Sequence, residues 1–248
     1  MKKLLNRIFN NSRSFNNEDG NFCRKVTEIV GVKPVELSYY KIAFTHRSMN
    51  RCDEEGHPIN YERLEFLGDA MLGSVIASYL FIEVPSGDEG YLTKMRSKIV
   101  SRENLNQLGK DLKLVSHVES KMGNQQFGEN IHGNLLEAII GAIYLDRGYP
   151  ACEKFIHEQL LSKVSDIQEL ETKITSYKSL LIEWCQKRKH TFKYDTFEED
   201  TAEELKYFGV RLFIDDKLVA KARATSKKKA EEKASQRAYF AFQEQIKQ

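Results

Sequence analysis

The chain has 248 residues, 41% hydrophobic and 30% charged, with a formal net charge of +2. That is the composition of a soluble globular protein of one large or two ordinary domains, and the net charge names no partner. Four scattered cysteines (Cys23, Cys52, Cys152 and Cys185), with no CxxC pair and no histidine at finger spacing, exclude a zinc finger and a disulfide framework.

The charge is unevenly spread. From Glu171 onward 17 Lys and Arg face 13 Asp and Glu, whereas the rest of the chain carries 21 and 23. A mildly acidic front and a basic tail point to two modules, the second suited to a polyanion. Free thiols fit a reducing cytosol, so a cytoplasmic location is expected. No run approaches the ~18 apolar residues of a membrane span, and no membrane partner is expected.

The opening "MKKLLNRIFNNSRSFNNEDG" is basic, but its apolar run is broken by Asn6-Arg7 and no small-residue cleavage site follows. It reads as a flexible tail over residues 1–20. From 21 to 164 the periodicity is helical. "FCRKVTEIVG" ends on Gly31, a C-cap signal, and "PVELSYYKIAFTHRS" precedes a polar loop. A long helix runs from about Asn60 to Phe81. Pro85, Gly87 and Gly90 break the chain before "YLTKMRSKIVSRENLNQLGKDL", and "GNLLEAIIGAIYLDRG" and "YPACEKFIHEQLLSKV" follow as helices. Residues 165–172 read as a linker.

Residues 173–247 change period. "TSYKSLLIEWCQKRK" is helical. "TFKYDTFEED", "KYFGVRLFIDD" and "KLVAKARATS" alternate as half-buried strands, with Phe208, Val210, Leu212 and Ile214 on one face. "IDDK" is a hairpin turn, and "KKKAEEKASQRAYFAF" closes as a helix. The predicted fold is multidomain: an all-α domain followed by a small α+β domain of order α-β-β-β-α.

The long helix contains "NYERLEFLGDAMLG". At 100° per residue, Glu62, Glu65 and Asp69 share an arc of about 60°. Leu64, Leu67 and Met71 fall opposite and are expected in the core. Like charges at these spacings repel by a few tenths of a kcal/mol, and Gly68 in mid-helix costs ~1 kcal/mol relative to Ala. Arg63 lies off the stripe. In "GNLLEAIIGAIYLD" nearly every residue from Leu135 to Leu145 is apolar, yet Asn134 and Glu137 stand one turn apart on one face. A buried carboxylate is costly unless paired or ligating a cation. Two such helices with oxygen donors, and no His or Cys beside them, suit Mg²⁺, with Mn²⁺ as a substitute. The alternatives left open are a solvated acidic face, and Glu137 as a core acid paired to an arginine such as Arg96 or Arg147.

These segments resemble a family. "ERLEFLGDAML", with "AFTHRS" before it and "EGYLTKMRSKIVS" and "LLEAIIGAIYLD" after it, resembles the ribonuclease III endonuclease domain. The tail with "TSKKKAEEKASQRA" resembles a double-stranded-RNA-binding domain, and the order is that of bacterial-type ribonuclease III. The resemblance implies a homodimeric endoribonuclease that hydrolyses double-stranded RNA with metal ions, and no other small-molecule cofactor. It implies 5′-phosphate and 3′-hydroxyl ends with short 3′ overhangs, and processing of ribosomal RNA precursors and other structured RNAs. Glu65, Asp69 and Glu137 match its metal-binding carboxylates, Asp69 and Glu137 being the catalytic pair. Glu62 and Glu89 match further cleft acids, and Phe66 an aromatic at the dimer interface, where Gly68 would permit close helix approach unless it serves ordinary packing.

Two positions depart from the family. Asn134 stands where a fourth metal-binding acid is usual; its amide oxygen still ligates but brings no charge. This leaves open a catalytically weak or inactive RNA-binding protein on the same fold. Glu204 stands where many members carry a histidine, and with Glu198, Glu199, Asp200 and Glu203 it makes an acidic tip between the first two strands. Lys227, Lys228 and Lys229 match the family's phosphate contact, while Lys178 and Glu183 are candidates for the minor groove. Trp184 reads as core, and His46 and His132 as structural or substrate-edge residues. Ala230, Ala234, Ala238 and Ala241 form the stripe that packs on the sheet.

Overall fold

The structure is a computed structural model and describes residues 17–122, 127–163, 176–199, 206–242 and 246. The chain forms two compact units that divide between Glu171 and Thr172. The expected linker, and the expected tail up to residue 16, lie outside the described residues.

The first unit is helical: α1 (Asn17–Val30), α2 (Leu37–Ala43), α3 (Glu62–Glu83), α4 (Glu89–Ile99), α5 (Arg102–Asp111), α6 (Ile131–Arg147) and α7 (Tyr149–Gln159). Helix α1 begins inside the stretch expected as tail. Glu18 and Asp19 occupy its first turn, where the helix dipole favours acids, and Asp19 pairs with Lys41 at 2.6 Å. The stretch from Tyr91 to Leu112, expected as one run, is two helices. Ser101 takes extended backbone and its hydroxyl caps the Asn104 N–H, which ends α4 and starts α5. Gly31 and Gly148, at φ 76° and 79°, close α1 and α6.

Helix α6 is the axis of this unit. Every residue from Leu135 to Ile143 is buried, as its apolar run demands, and α2, α3, α5 and α7 pack around it. Its last turn holds a second buried acid, Asp146, whose carboxylate accepts from the Val35 and Glu36 N–H groups and the Tyr40 hydroxyl. The firmest packing is between α3 and α6. A Cβ on Gly68 would collide with the backbone carbonyl of Glu137, and one on Gly141 with that of Leu64. The two glycines therefore let the helix backbones touch. Gly68 meets a helix of its own chain, the ordinary packing that stood as the alternative to a contact between copies.

The buried face of α3 is Leu64, Gly68, Leu72, Val75, Ile76 and Leu80, while Leu67 and Met71, expected in the core, are only half-buried. The glycine contact turns the helix so that the acids flank the crossing instead of pointing away from it. Among the described residues α3 alone is long and apolar enough to cross a membrane, contrary to the expectation that no segment would be. Its apolar side forms the core with α6, and three acids occupy its first two turns.

The second unit is α8 (Tyr177–Arg188), β1 (Phe192–Glu199), β2 (Tyr207–Ile214), β3 (Lys217–Ala224) and α9 (Lys227–Ala241). The antiparallel sheet has order β1-β2-β3, with Thr196 opposite Val210 and Val210 opposite Ala222. Asp215 and Asp216, at φ 45° and 59°, make the β2–β3 turn, in which both central residues are left-handed. Asp215 also accepts from Thr191 N–H and pairs with His190 at 2.6 Å, which holds its carboxyl below the usual range.

Val210, Leu212 and Ile214 face Leu181, Trp184 and Cys185 of α8 and Ala230, Ala234 and Ala238 of α9, with Phe208 at the edge. Trp184 is core and stacks on Phe242 at 5.7 Å. Ala241, expected in the alanine stripe, is exposed at the end of α9, and Phe242 covers the core there instead.

Candidate functional site

The α3–α6 crossing brings together side chains some seventy positions apart. Glu62, Glu65, Phe66 and Asp69 from α3, Asn134 and Glu137 from α6, and Arg102 from the start of α5 line one open cavity of about 670 Å³. His46, Arg47 and Tyr61 close another side. Each acid is held by helix geometry: i, i+3 and i, i+4 spacing on α3 and i, i+3 on α6 put them on facing turns.

Glu137 is the deepest of them, with 2% exposure. Burial pushes its carboxyl up to about 7; the Arg102 guanidinium opposes the rise, and Asp69 and Glu65 add to it. Glu65 is raised as well, again first by burial, with Glu62 and Asp69 adding to it against Arg102. Glu62 is more open and meets Arg47 at 3.6 Å.

Arg102 is the partner that the sequence did not reveal. Its Nη1 donates to Glu137 Oε2 at 3.2 Å and to Asn134 Oδ1 at 3.1 Å. Neither Arg96 nor Arg147 takes this role. Arg147 lies at the far end of α6, against Asp146 at 3.6 Å. The only signal was local: Ser101 as N-cap puts Arg102 in the first turn of α5. Asn134 shares the cavity wall with Tyr61, whose hydroxyl pKa is raised chiefly by burial.

His46 is buried, and its Nδ1 accepts the Ser48 N–H at 3.1 Å. Burial lowers its pKa, and it stands at the cavity wall. His132 Nδ1 is buried without a partner among the described residues. Glu89 is outside the cavity lining; it begins α4 and accepts from the Thr93 hydroxyl at 3.1 Å. Phe66 is 81% exposed at the cavity rim.

The chemistry of the donor set suits a hard cation. Five carboxylates line the cavity, Glu62, Glu65, Asp69, Glu129 and Glu137, together with the Asn134 amide oxygen and no thiolate. Among the described residues these acids do not converge on one point as a finished ligand cage. The arrangement can gather negative charge around a divalent ion beside a phosphate, with Arg102 supplying positive charge in its place.

In the second unit Lys227, Lys228 and Lys229 are exposed in the first turn of α9, where Ser226 caps the Lys229 N–H. Cations there oppose the helix dipole, and a bound phosphate would offset that. Lys227 also lies over the Phe208 ring at 5.7 Å. Lys178 is held by Glu231 at 2.5 Å and sits over Tyr194 at 5.0 Å. Glu183 pairs with Lys187 at 3.0 Å. Asp200, Glu203 and Glu204 of the expected acidic tip lie outside the described residues.

Comparison with known proteins fits both units. The Ribonuclease-III-like family model matches residues 37–164, and the double-stranded RNA binding motif matches 177–239. Ribonuclease 3 of Flavobacterium psychrophilum is 64% identical, covering 98% of each chain. Ribonuclease 3 of Zunongwangia profunda is 61% identical over 95% of this chain and 96% of its own. Among solved structures, the nuclease domain of ribonuclease III from Campylobacter jejuni is 27% identical with a TM-score of 0.50, covering 58% of this chain and 96% of that one.

Proposed function

The chain belongs to the ribonuclease III family, and from that premise we propose that it is an endoribonuclease that cleaves double-stranded RNA by Mg²⁺-dependent phosphodiester hydrolysis at the α3–α6 cavity. One observation carries the reading: acids from two facing helices line a single cavity, in a chain whose second unit is a double-stranded RNA binding motif. Glu65, Asp69 and Glu137 would hold the ion, with Asn134 Oδ1 as a neutral fourth donor. When bound, the ion supplies charge that activates water and neutralises the phosphate. Glu62 widens the acidic lining, and Glu89 is assigned the outer cleft by resemblance alone. Burial of Glu137 where α6 packs on α3 keeps its carboxylate fixed while RNA enters. Mn²⁺ would substitute.

In the second unit, Lys227, Lys228 and Lys229 would contact phosphates. Lys178 and Glu183 would present α8 to the minor groove, each after exchanging an ion pair it makes within the unit. The products would carry 5′-phosphates, 3′-hydroxyls and short 3′ overhangs, and structured precursors such as ribosomal RNA would be the substrates. A homodimer is supported by apolar side chains left open on α3, where Phe66, Phe81 and Ile82 are exposed by 81%, 73% and 68%.

The test is cleavage of a long RNA duplex in Mg²⁺ by wild type, Glu137→Gln and Asn134→Asp, with product ends mapped and each protein's mass followed by sedimentation. Staggered products from a dimeric wild type and none from Glu137→Gln are expected. Intact duplex with wild type in both Mg²⁺ and Mn²⁺, with cutting restored by Asn134→Asp, would establish instead an RNA-binding protein on this fold. A monomer at micromolar concentration, unchanged by Phe66→Ala, would refute the dimer.

A further inference from the structure

Arg102 already engages part of the proposed ligand set. Its Nη1 holds Asn134 Oδ1 and Glu137 Oε2 together, at 3.1 and 3.2 Å. These are two of the oxygens that the reading above assigns to the metal. An oxygen of a Mg²⁺ ligand set lies about 2.0–2.1 Å from the ion, so a guanidinium nitrogen cannot remain between two such oxygens while an ion takes its place.

The two partners differ in freedom. The Arg102 side chain is 56% exposed and the Glu137 side chain 3% exposed. The arginine can swing into solvent, whereas the glutamate is fixed in the helix packing. Asn134 fits this arrangement, because an amide oxygen accepts from a guanidinium.

We propose that Arg102 is an internal counter-ion that competes with the divalent cation for Asn134 and Glu137, and so sets how much Mg²⁺ or Mn²⁺ the protein requires. The inference rests on the metal-site reading and adds a residue to it. Arg102 neutralises the buried acid before the ion arrives and must leave for the ion to be held by both oxygens. It acts through the ligands as a positioning residue, and its effect belongs to ion binding itself, with or without RNA.

The experiment is a Mn²⁺ titration of the full chain without RNA, read by the signal of free Mn²⁺, with thermal melts in chelator and at saturating Mn²⁺. Wild type, Arg102→Met, Arg102→Lys and Glu137→Gln are compared. Removing the competitor should tighten the Mn²⁺ Kd of Arg102→Met by about tenfold, the equivalent of ~1.4 kcal/mol. Its Tm in chelator should fall, because a buried carboxylate has lost its partner, and saturating Mn²⁺ should bring the Tm back toward wild type. Arg102→Lys, a charge without the planar fork, should lie between the two.

If Arg102→Met binds Mn²⁺ no more tightly than wild type, while Glu137→Gln abolishes binding, the counter-ion idea is overturned and the metal site stands. If Mn²⁺ binding is indifferent to Glu137→Gln, the metal-site reading itself falls and this inference with it. Should Arg102→Met not fold, the same decision is read from Arg102→Lys.

Discussion

Glu137 couples the chemistry of one side chain to the stability of the fold. Its carboxyl is raised to about 7 from an ordinary 4.5, chiefly by burial. The native state therefore keeps this proton after the unfolded chain has lost it. Its contribution is full below the unfolded pKa and is lost as pH rises through the folded one. With metal ions chelated, wild type should lose on the order of 1–3 kcal/mol between about pH 5 and pH 8 that Glu137→Gln does not lose. Urea midpoints measured across that range check it, and parallel curves for the two proteins would sink it. The sequence showed that a lone acid in an apolar run needs a partner. It did not show which, because Arg102 comes from a different helix and reaches Glu137 only through tertiary packing.

The α3–α6 crossing sets the positions of Glu62, Glu65, Asp69 and Glu137 in the cavity. Gly68→Ala should destabilise the protein by about 1–3 kcal/mol or more, since its methyl would meet backbone and not a movable side chain. Gly73, in the same helix, has no atom within 4 Å of its would-be Cβ. Gly73→Ala should instead gain up to about 1 kcal/mol from helix propensity. Chemical denaturation of the pair reads this difference, and equal effects would mean that the crossing is not tight. The acid stripe was legible from 100° arithmetic alone, and the strands with Val210, Leu212 and Ile214 inward from two-residue alternation. Which flank of α3 is buried was not. Leu67 and Met71 are as apolar as Leu64, and the choice is made by two glycines that fit each other's helix. The α4–α5 break was missed for a local reason: Ser101 caps without a Gly or Pro to announce it.

At the scale of the molecule, the site and the lysine cluster lie in different compact units. Their contributions should be separable. In a Glu137→Gln background, where the duplex survives, replacing Lys227, Lys228 and Lys229 by Ala should weaken RNA binding across sequences. It should also flatten the dependence of log K on log salt by about 2–3 units of slope. Filter binding at several salt concentrations checks this, and an unchanged slope would remove the cluster from the phosphate contact. The order of the units was readable from the change of period near residue 173, because strand and helix patterns differ so plainly.

The paired glycines also act as a detent. Gly68 receives the carbonyl of Glu137, and Gly141 that of Leu64. Each helix thus has a notch for the other's backbone, and neither can slide along its partner. A slip of one turn would carry the α6 oxygens about 5.4 Å past the α3 carboxylates. Metal–oxygen bonds tolerate only about 0.2 Å. Side-chain packing by leucine and isoleucine is forgiving on that scale, and a backbone seated in a notch is not. The two residues with no side chain at all are what give the cavity its tolerance.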